Sequence, residues 1–399
     1  LESLNLQGNT LSGAIPASMG NMTSLQKVLL SNNKLNGSIP TTIGQLVNLT
    51  LLDLSLNQLV GCIPGEIGEL RAIVQIDLHL NSLGCSLPPE LGNCENLQVL
   101  DLRSNMLLGS IPATLGNLSR LSGLNLGTNL LQGTIPTSLS HARQLLRLAL
   151  FSNQLEGTLP PSLGEMIHLQ QLVMYSNQIS GTIPPELGNL QSIQELSFRF
   201  NQLTGSIPNA LFTLETLMFL DLRSNNLIGT IPTAFGGAGA LRNLLLGFND
   251  LTGTIPAALG NLSNLQGLGF RQNRLSGPIP LSLGNLTQLT YLNLRNAGLS
   301  GTIPPIFSRM NALVTLDLSE NAFTGVIPSQ LGDAESLSNL FLGGNQLIGT
   351  IPASLGKIKT LELFDASENE LSGEIPPVLF ANSALKVLSL QKNKLSSIL

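Results

Sequence analysis

Residues 97–120 read LQVLDLRSNMLLGSIPATLGNLSR, and this stretch decides the fold because it is one copy of a unit that fills the chain. The unit, LxxLxLxxNxLxGxIPxxLGxL, begins seventeen times, every 24 residues from Leu1 to Leu385. Its asparagine recurs from Asn9 to Asn393 and is missing only at Ala297. A fixed period of this kind indicates a stacked repeat architecture.

Each part of the unit predicts a local structure. Segments such as Leu124–Leu126 alternate apolar and polar residues, which favours a short strand. All coils run in one direction, so the stacked strands form a parallel sheet and each coil buries its leucines against the next. The proline keeps the residue before it extended, and the short LGxL segment predicts a 3₁₀ turn. We expect a solenoid of about 17 coils, with one long curved parallel β-sheet on the concave face and 3₁₀ turns on the convex face.

Composition limits the possible functions. The net charge of −5 is too mild for general nucleic-acid binding, so we expect no nucleic-acid partner. No stretch of 18 uninterrupted apolar residues exists, so we expect no membrane contact by this segment. Leu1 already lies within the repeat, and we expect residues 1–399 to be a single solenoid domain taken from a longer protein, without its caps.

The LxGxIPxxLGxL half of the unit resembles the plant-type leucine-rich repeat. The chain is similar to the ectodomains of plant receptor-like kinases and receptor-like proteins, and to polygalacturonase-inhibiting proteins. The resemblance implies an extracellular or cell-surface solenoid that recognises a peptide or a protein. The cysteine-paired caps of the family, the island insertion of its steroid-binding members and the Arg-x-Arg pair of one peptide-receptor branch are absent from the sequence.

Three functions fit the resemblance. The first is the ligand-binding ectodomain of a receptor-like kinase or receptor-like protein. The second is a secreted inhibitor of a cell-wall-degrading enzyme, and the third is a passive adhesion scaffold. The sequence contains no HExxH, GxSxG or phosphate-binding glycine loop, so it predicts no catalytic residue, no metal site, no cofactor and no enzymatic activity.

The cysteines and the glycosylation sequons are weaker signals. Cys62 and Cys85 lie at repeat positions 14 and 13 of consecutive coils, close enough to pair. Neighbouring positions of an extended segment point to opposite faces, so free thiols are the favoured expectation, with Cys94 at a buried position. Six N-x-S/T sequons occur, about as many as chance gives, at Asn21, Asn36, Asn48, Asn117, Asn261 and Asn285.

The middle of the predicted concave face carries the candidate ligand-binding residues. Repeat positions 7 and 8 hold large aromatic and basic side chains there, which the core does not need and which protein interfaces favour. Asp221 lies on one of these strands and either contacts the ligand or holds an arginine in place. The candidates are Phe151, Tyr175, Arg199, Phe200, Asp221, Arg223, Phe248, Arg271 and Arg295. The alternative is drift on an open sheet face, which arginine keeps soluble.

The charge distribution predicts an anionic ligand. Residues 97–312 carry 11 basic and 8 acidic side chains, a net charge of +3, between two acidic ends. The candidates would form a nearly straight row, to which an extended peptide of roughly 9–12 residues could bind. Repeat position 14 is mostly Ser or Thr, as at Thr134. In the family, that flank can dock a co-receptor, but we expect this hydroxyl ladder to be mainly structural.

Overall fold

A computed structural model describes residues 1–397, and its contacts divide the chain into two compact units, Leu1–Leu203 and Thr204–Leu399. Both units are built from the predicted 24-residue coil. Each coil contributes one inner strand of three residues, which pairs in parallel with the strand 24 residues away, as Leu52 does with Ile76. We call the open surface of these inner strands the strand face.

Residues 1–397 contain seventeen inner strands, which are spaced as the repeat requires. Those of the first unit are Ser3–Asn5, Lys27–Leu29, Leu51–Asp53, Gln75–Asp77, Val99–Asp101, Gly123–Asn125, Arg147–Ala149, Gln171–Val173 and Glu195–Ser197. Those of the second unit are Phe219–Asp221, Asn243–Leu245, Gly267–Gly269, Tyr291–Asn293, Thr315–Asp317, Asn339–Phe341, Leu363–Asp365 and Val387–Ser389. The predicted parallel strands are confirmed.

A second set of strands, which we call side strands, follows the inner strands in most coils of residues 1–397. They pair residues 22 rather than 24 apart, as Val60 does with Ser82. They are Ser12–Gly13, Lys34–Gly37, Gln58–Gly61, Ser82–Leu83, Gln132–Thr134, Gln154–Glu156, Ser180–Thr182, Gln202–Gly205, Asn226–Leu227, Ser300–Thr302, Ala322–Val326, Gln346–Gly349, Glu370–Glu374 and Lys394–Ser397.

The 3₁₀ turns begin after the repeat proline, whose φ is close to the helical value; at Pro112 it is −64°. A Cβ on the turn glycine Gly116 would collide with the Ser138 carbonyl oxygen, so glycine lets neighbouring turns approach closely. The turns span Ala17–Asn21, Thr41–Gln45, Gly65–Glu69, Pro89–Asn93, Ala113–Asn117, Thr137–His141, Pro161–Glu165, Pro185–Asn189, Asn209–Thr213, Ala257–Asn261, Leu281–Asn285, Phe307–Arg309, Ser329–Asp333 and Ala353–Lys357, with one α-helical turn at Pro377–Phe380.

The core of each unit consists of leucine layers, and the asparagines hold the coils together. Leu100 and Leu102 are fully buried, as are their counterparts in the neighbouring coils. Asn129 Nδ2 donates to carbonyl oxygens of its own coil and of the preceding one, and its Oδ1 accepts the backbone N–H of Leu107 in the preceding coil. The recurring asparagines therefore form a ladder of side-chain hydrogen bonds, in which Asn129 bonds its own coil to the preceding one.

Ala297 interrupts the ladder, yet the backbone N–H of the preceding coil that an asparagine would accept still has a hydrogen-bond partner. In most other coils of residues 1–397, the asparagine Oδ1 accepts the backbone N–H of the preceding coil's repeat position 11, as Asn129 does from Leu107. At the interruption, the Leu275 N–H donates instead to the backbone carbonyl oxygen of Ala297, at 2.8 Å. Gly298, with φ of +84°, provides the local backbone change.

The expectation that Cys62 and Cys85 are free thiols is wrong, because the two form a disulfide with a Cα–Cα distance of 4.9 Å. The expectation assumed a regular coil stacked at 24 residues. The side strands instead pair at 22 residues, and Cys85 replaces a glycine that has positive φ in other coils while not adopting positive φ itself. Its side chain therefore does not follow the alternation of a regular coil. Cys94 is free and buried as expected, and burial raises its thiol pKa to about 11.

Candidate binding surface on the strand face

The end of each inner strand positions the side chains at repeat positions 7 and 8. In nine coils of residues 1–397, an Asp or Asn at position 5 accepts the backbone N–H of position 7 through Oδ1, as Asn125 does from Gly127 at 3.1 Å. Position 8 then takes a left-handed backbone conformation, with φ of 54° at Phe200 and 57° at Phe248. This conformation is costly for bulky residues and is imposed by the coil. It turns both phenylalanines outward, leaving them 54% and 40% exposed.

In the first unit, four predicted residues form one cluster. The rings of Phe151 and Tyr175 stack with centroids 4.8 Å apart. The Arg199 guanidinium lies 4.6 Å above the Tyr175 ring centroid and 5.7 Å from that of Phe200. At the other end of the stack the Phe151 ring covers Gly127, where a Cβ would collide with it. We call these four side chains the first-unit aromatic cluster.

In the second unit, Asp221 is not exposed to a ligand. It is 1% exposed, and its two carboxylate oxygens accept Nε and Nη2 of Arg223 at 2.9 and 2.7 Å. This hydrogen-bonded pairing with Asp221 raises the pKa of Arg223. Asp221 therefore holds the Arg223 side chain against its own strand end.

The other second-unit candidates differ in how much of each side chain is free to bind. Arg271 lies across Gly247, with its guanidinium 4.5 Å above the Phe248 ring centroid. Within residues 1–397, Arg271 has no acidic partner. Arg295 instead forms an exposed ion pair with Glu320 of the next coil. We call Phe248 and Arg271 the second-unit aromatic–arginine pair.

Within the first unit the strand face also contains a cavity of about 460 Å³ that the sequence analysis missed. Its lining includes Gly123 and Ala149, which are smaller than Val99 and Val173 at the same repeat positions of other coils that line it. Asp101 also lines the cavity, and burial is the main cause that raises the pKa of this carboxyl above its usual value. Small residues at adjacent strand positions were the available sequence signal.

The predicted hydroxyl ladder has a packing role on the side strands. The γ-methyl of Thr134 lies against Gly157 of the next coil, and that of Thr158 lies against Gly181, where a Cβ would collide. The contact is made by the methyl group rather than by the hydroxyl that the sequence analysis considered. All six sequon asparagines are exposed. None of the helices in residues 1–397 reaches the length and hydrophobicity that crossing a bilayer requires.

Two leucine-rich-repeat family models match the chain. One covers residues 287–347, and the other covers 1–22, 24–46, 48–70, 96–118, 168–190, 192–214, 216–238 and 240–262. No curated protein sequence matches the chain at a significant level.

Several of the solved structures that match are from plant receptors. The ectodomain of the Arabidopsis receptor kinase HAESA, solved with the peptide hormone IDA and the co-receptor SERK1, is 36% identical with a TM-score of 0.92; the match covers 98% of this chain and 66% of that one. The Arabidopsis thaliana receptor kinase GASSHO1/SCHENGEN3, solved with CASPARIAN STRIP INTEGRITY FACTOR 2, is 36% identical with a TM-score of 0.84; the match covers 99% of this chain. This chain spans only 50% of the GASSHO1/SCHENGEN3 chain.

The plant peptide hormone receptor RGFR1, solved with RGF2, is 30% identical with a TM-score of 0.78, and the match covers 100% of this chain and 76% of that one. The repeat, the coil geometry, the family models and these matches agree. The chain belongs to the plant-type leucine-rich-repeat family, and its whole length resembles receptor-kinase ectodomains.

Proposed function

We propose that the chain is the extracellular ligand-binding part of a receptor and that it binds a peptide with acidic groups on its strand face. HAESA was solved with a peptide hormone and RGFR1 is a peptide hormone receptor, which favours a receptor over an inhibitor of a cell-wall enzyme or a passive scaffold. Binding rather than catalysis is the proposed activity, and residues 1–399 are proposed to act as one domain.

The observation that carries the proposal is the first-unit aromatic cluster. Phe151, Tyr175 and Arg199 stack on one another, so their side chains are ordered before a ligand arrives. A preorganised aromatic surface loses less side-chain entropy on binding. Phe200 stands beside it, more than half exposed, and provides an apolar contact that folding does not use.

The second-unit aromatic–arginine pair supports the acidic character of the peptide. Arg271 has its hydrocarbon stem supported by Gly247 and its guanidinium face on Phe248, and no carboxylate in residues 1–397 neutralises it. The edge of the guanidinium can therefore donate two parallel hydrogen bonds to a ligand carboxylate. Arg223 and Arg295 already have carboxylate partners, so we expect smaller contributions from them.

The test uses synthetic peptides of 9–12 residues, each acidic peptide paired with a version in which Asn and Gln replace Asp and Glu. Titration calorimetry should find binding to acidic members, weakened by added salt because exposed ion pairs are screened. Phe200→Ala and Arg271→Ala should each cost about 1–3 kcal/mol, or roughly 5- to 150-fold in affinity.

Matched controls are available in the chain. Leu56 has the same repeat position and backbone conformation as Phe200 and is 43% exposed. Arg143 is exposed after the Thr137–His141 turn, away from the strand face. Leu56→Ala and Arg143→Ala should leave affinity unchanged. Failure of every peptide to bind, or binding that neither Phe200→Ala nor Arg271→Ala weakens, would refute the proposal.

We further propose that a co-receptor binds the surface formed by the side strands around Thr134, which is exposed. A Thr134→Arg variant should then bind peptide normally but fail to recruit the co-receptor in a ternary pull-down. Loss of both activities, or of neither, would argue against this assignment.

A further inference from the structure

Two carboxylates and one imidazole meet on the strand face of the first unit. Asp77 and Asp101 are direct register partners on the neighbouring strands Gln75–Asp77 and Val99–Asp101, and His79 follows the first of these. One ligand atom from each of the three side chains lies within 4.8 Å of the other two. Their side chains are only 14–20% exposed. Among residues 1–397 this is the one group of three His, Cys, Asp or Glu side chains so arranged.

We propose that Asp77, His79 and Asp101 form a binding site for a divalent transition-metal ion of the zinc type. Carboxylate and imidazole are common zinc ligands, and three protein ligands leave a position for water or another ligand. Like charges directly opposite each other on neighbouring strands repel, so a dication between Asp77 and Asp101 turns this repulsion into attraction.

The geometry needs only small side-chain movements. Zinc bonds to oxygen and nitrogen are about 2.0–2.2 Å, so ligand atoms around one tetrahedral ion lie about 3.5 Å apart. The three ligand atoms now lie within 4.8 Å of one another, and we expect side-chain rotation to bring them to this separation. Nδ1 of His79 now contacts Oδ1 of Asp77 at 2.6 Å, and bonds from both atoms to the ion replace this contact.

The neighbours of the site make a specific prediction. Nε of Arg103 lies 3.6 Å from Oδ2 of Asp101 and competes with a cation for that carboxylate. Asp101 and Arg103 also line the 460 Å³ cavity, and we expect the open coordination position to face it. Removing the Arg103 charge should therefore tighten metal binding, whereas a purely structural role of the three residues would not produce that effect.

Equilibrium dialysis and calorimetry with zinc chloride test the proposal on the full chain. We expect one zinc ion per chain, and at least 10-fold weaker binding in each of Asp77→Asn, His79→Gln and Asp101→Asn. These substitutions keep the fold because the same residue types already occupy the same positions: Asn125 accepts its position-7 N–H, and Gln7 occupies position 7. Arg103→Ala should strengthen binding.

Two variants control for nonspecific binding. Asp317 has the same repeat position as Asp77 but is followed by Ser319 instead of histidine, and its carboxylate accepts the Ser319 N–H. His168 is a histidine elsewhere in the first unit. Asp317→Asn and His168→Gln should bind zinc as the parent does. The proposal is overturned if no zinc binds, if His79→Gln binds it equally well, or if magnesium binds as tightly, since imidazole is a poor magnesium ligand.

Discussion

Replacing Asn129 tests whether the side-chain amides hold neighbouring coils together. Its Nδ2 donates to the carbonyl oxygens of Leu102, Leu126 and Gly127 at 3.0, 3.1 and 3.3 Å, and its Oδ1 accepts the Leu107 N–H at 3.0 Å. The residue is 6% exposed. The Asn129→Ala variant removes all four bonds from a site that water does not reach easily.

The four bonds differ in what their loss leaves behind. The three carbonyl oxygens each keep another hydrogen-bond donor. Asn105 Nδ2 donates to Leu102, Asn153 Nδ2 donates to Leu126, and the Ser104 N–H donates to Gly127. The Leu107 N–H has no other partner in the described bonds and belongs to a fully buried residue. One orphaned buried N–H costs about 1–3 kcal/mol, and this is the expected loss for Asn129→Ala.

The Asn129→Asp variant separates the two functions of the amide. Its carboxylate still accepts the Leu107 N–H but faces three carbonyl oxygens without a proton to donate. We expect Asp to destabilise more than Ala at neutral pH. Because protonation restores a donor, the pKa of this Asp should be raised in the folded state, and the difference between the two variants should shrink as the pH falls.

Urea unfolding and amide hydrogen exchange give the readouts. Exchange at the Leu107 amide should accelerate in Asn129→Ala and remain protected in Asn129→Asp at low pH. Asn9→Ala is the control, since Asn9 is exposed and bonds only carbonyls of its own coil; it should change stability by less than about 0.5 kcal/mol. If Asp is tolerated as well as Asn at neutral pH, the amide donors do not stabilise the stack.

Three further outcomes are expected. Ala297→Asn should give no gain in thermal stability in a melting experiment, because the Leu275 N–H already bonds to the Ala297 carbonyl oxygen; a clear rise would contradict this. Replacing Cys62 and Cys85 by serine removes a covalent link between residues 23 apart, and calorimetry should find that the free energy of unfolding falls by roughly 3 kcal/mol. A reducing agent should destabilise the parent protein but not this variant. Burial raises the Cys94 thiol pKa from 9.0 to about 11, so the unfolded chain loses this proton first and stability should fall as pH rises from 9 to 11; an equal slope in Cys94→Ala would refute this.

The repeat pattern alone determined the coil, its strands, its 3₁₀ turns and the asparagine ladder. The reason is that each of these residue types has a local role that every coil repeats. Leu100 is buried in the core, Asn105 bonds a backbone carbonyl of the preceding coil, and Pro112 fixes the backbone before the turn. These roles recur every 24 residues, so the sequence pattern that indicates them is repeated in almost every coil. The aromatic and arginine candidates were also visible, because repeat position says which residues can reach the strand face.

Only the tertiary structure decided which of those side chains are available. Asp221 forms an ion pair with Arg223 at the end of the same strand, and Arg295 forms one with Glu320 of the next coil. These contacts depend on rotamers and on distances between residues that the pattern treats as equivalent. For the same reason, no sequence motif indicated the Cys62–Cys85 disulfide or the cluster of Asp77, His79 and Asp101. The disulfide depends on a local departure from the regular backbone of the coil. The cluster depends on the strand register that brings residues 24 apart side by side.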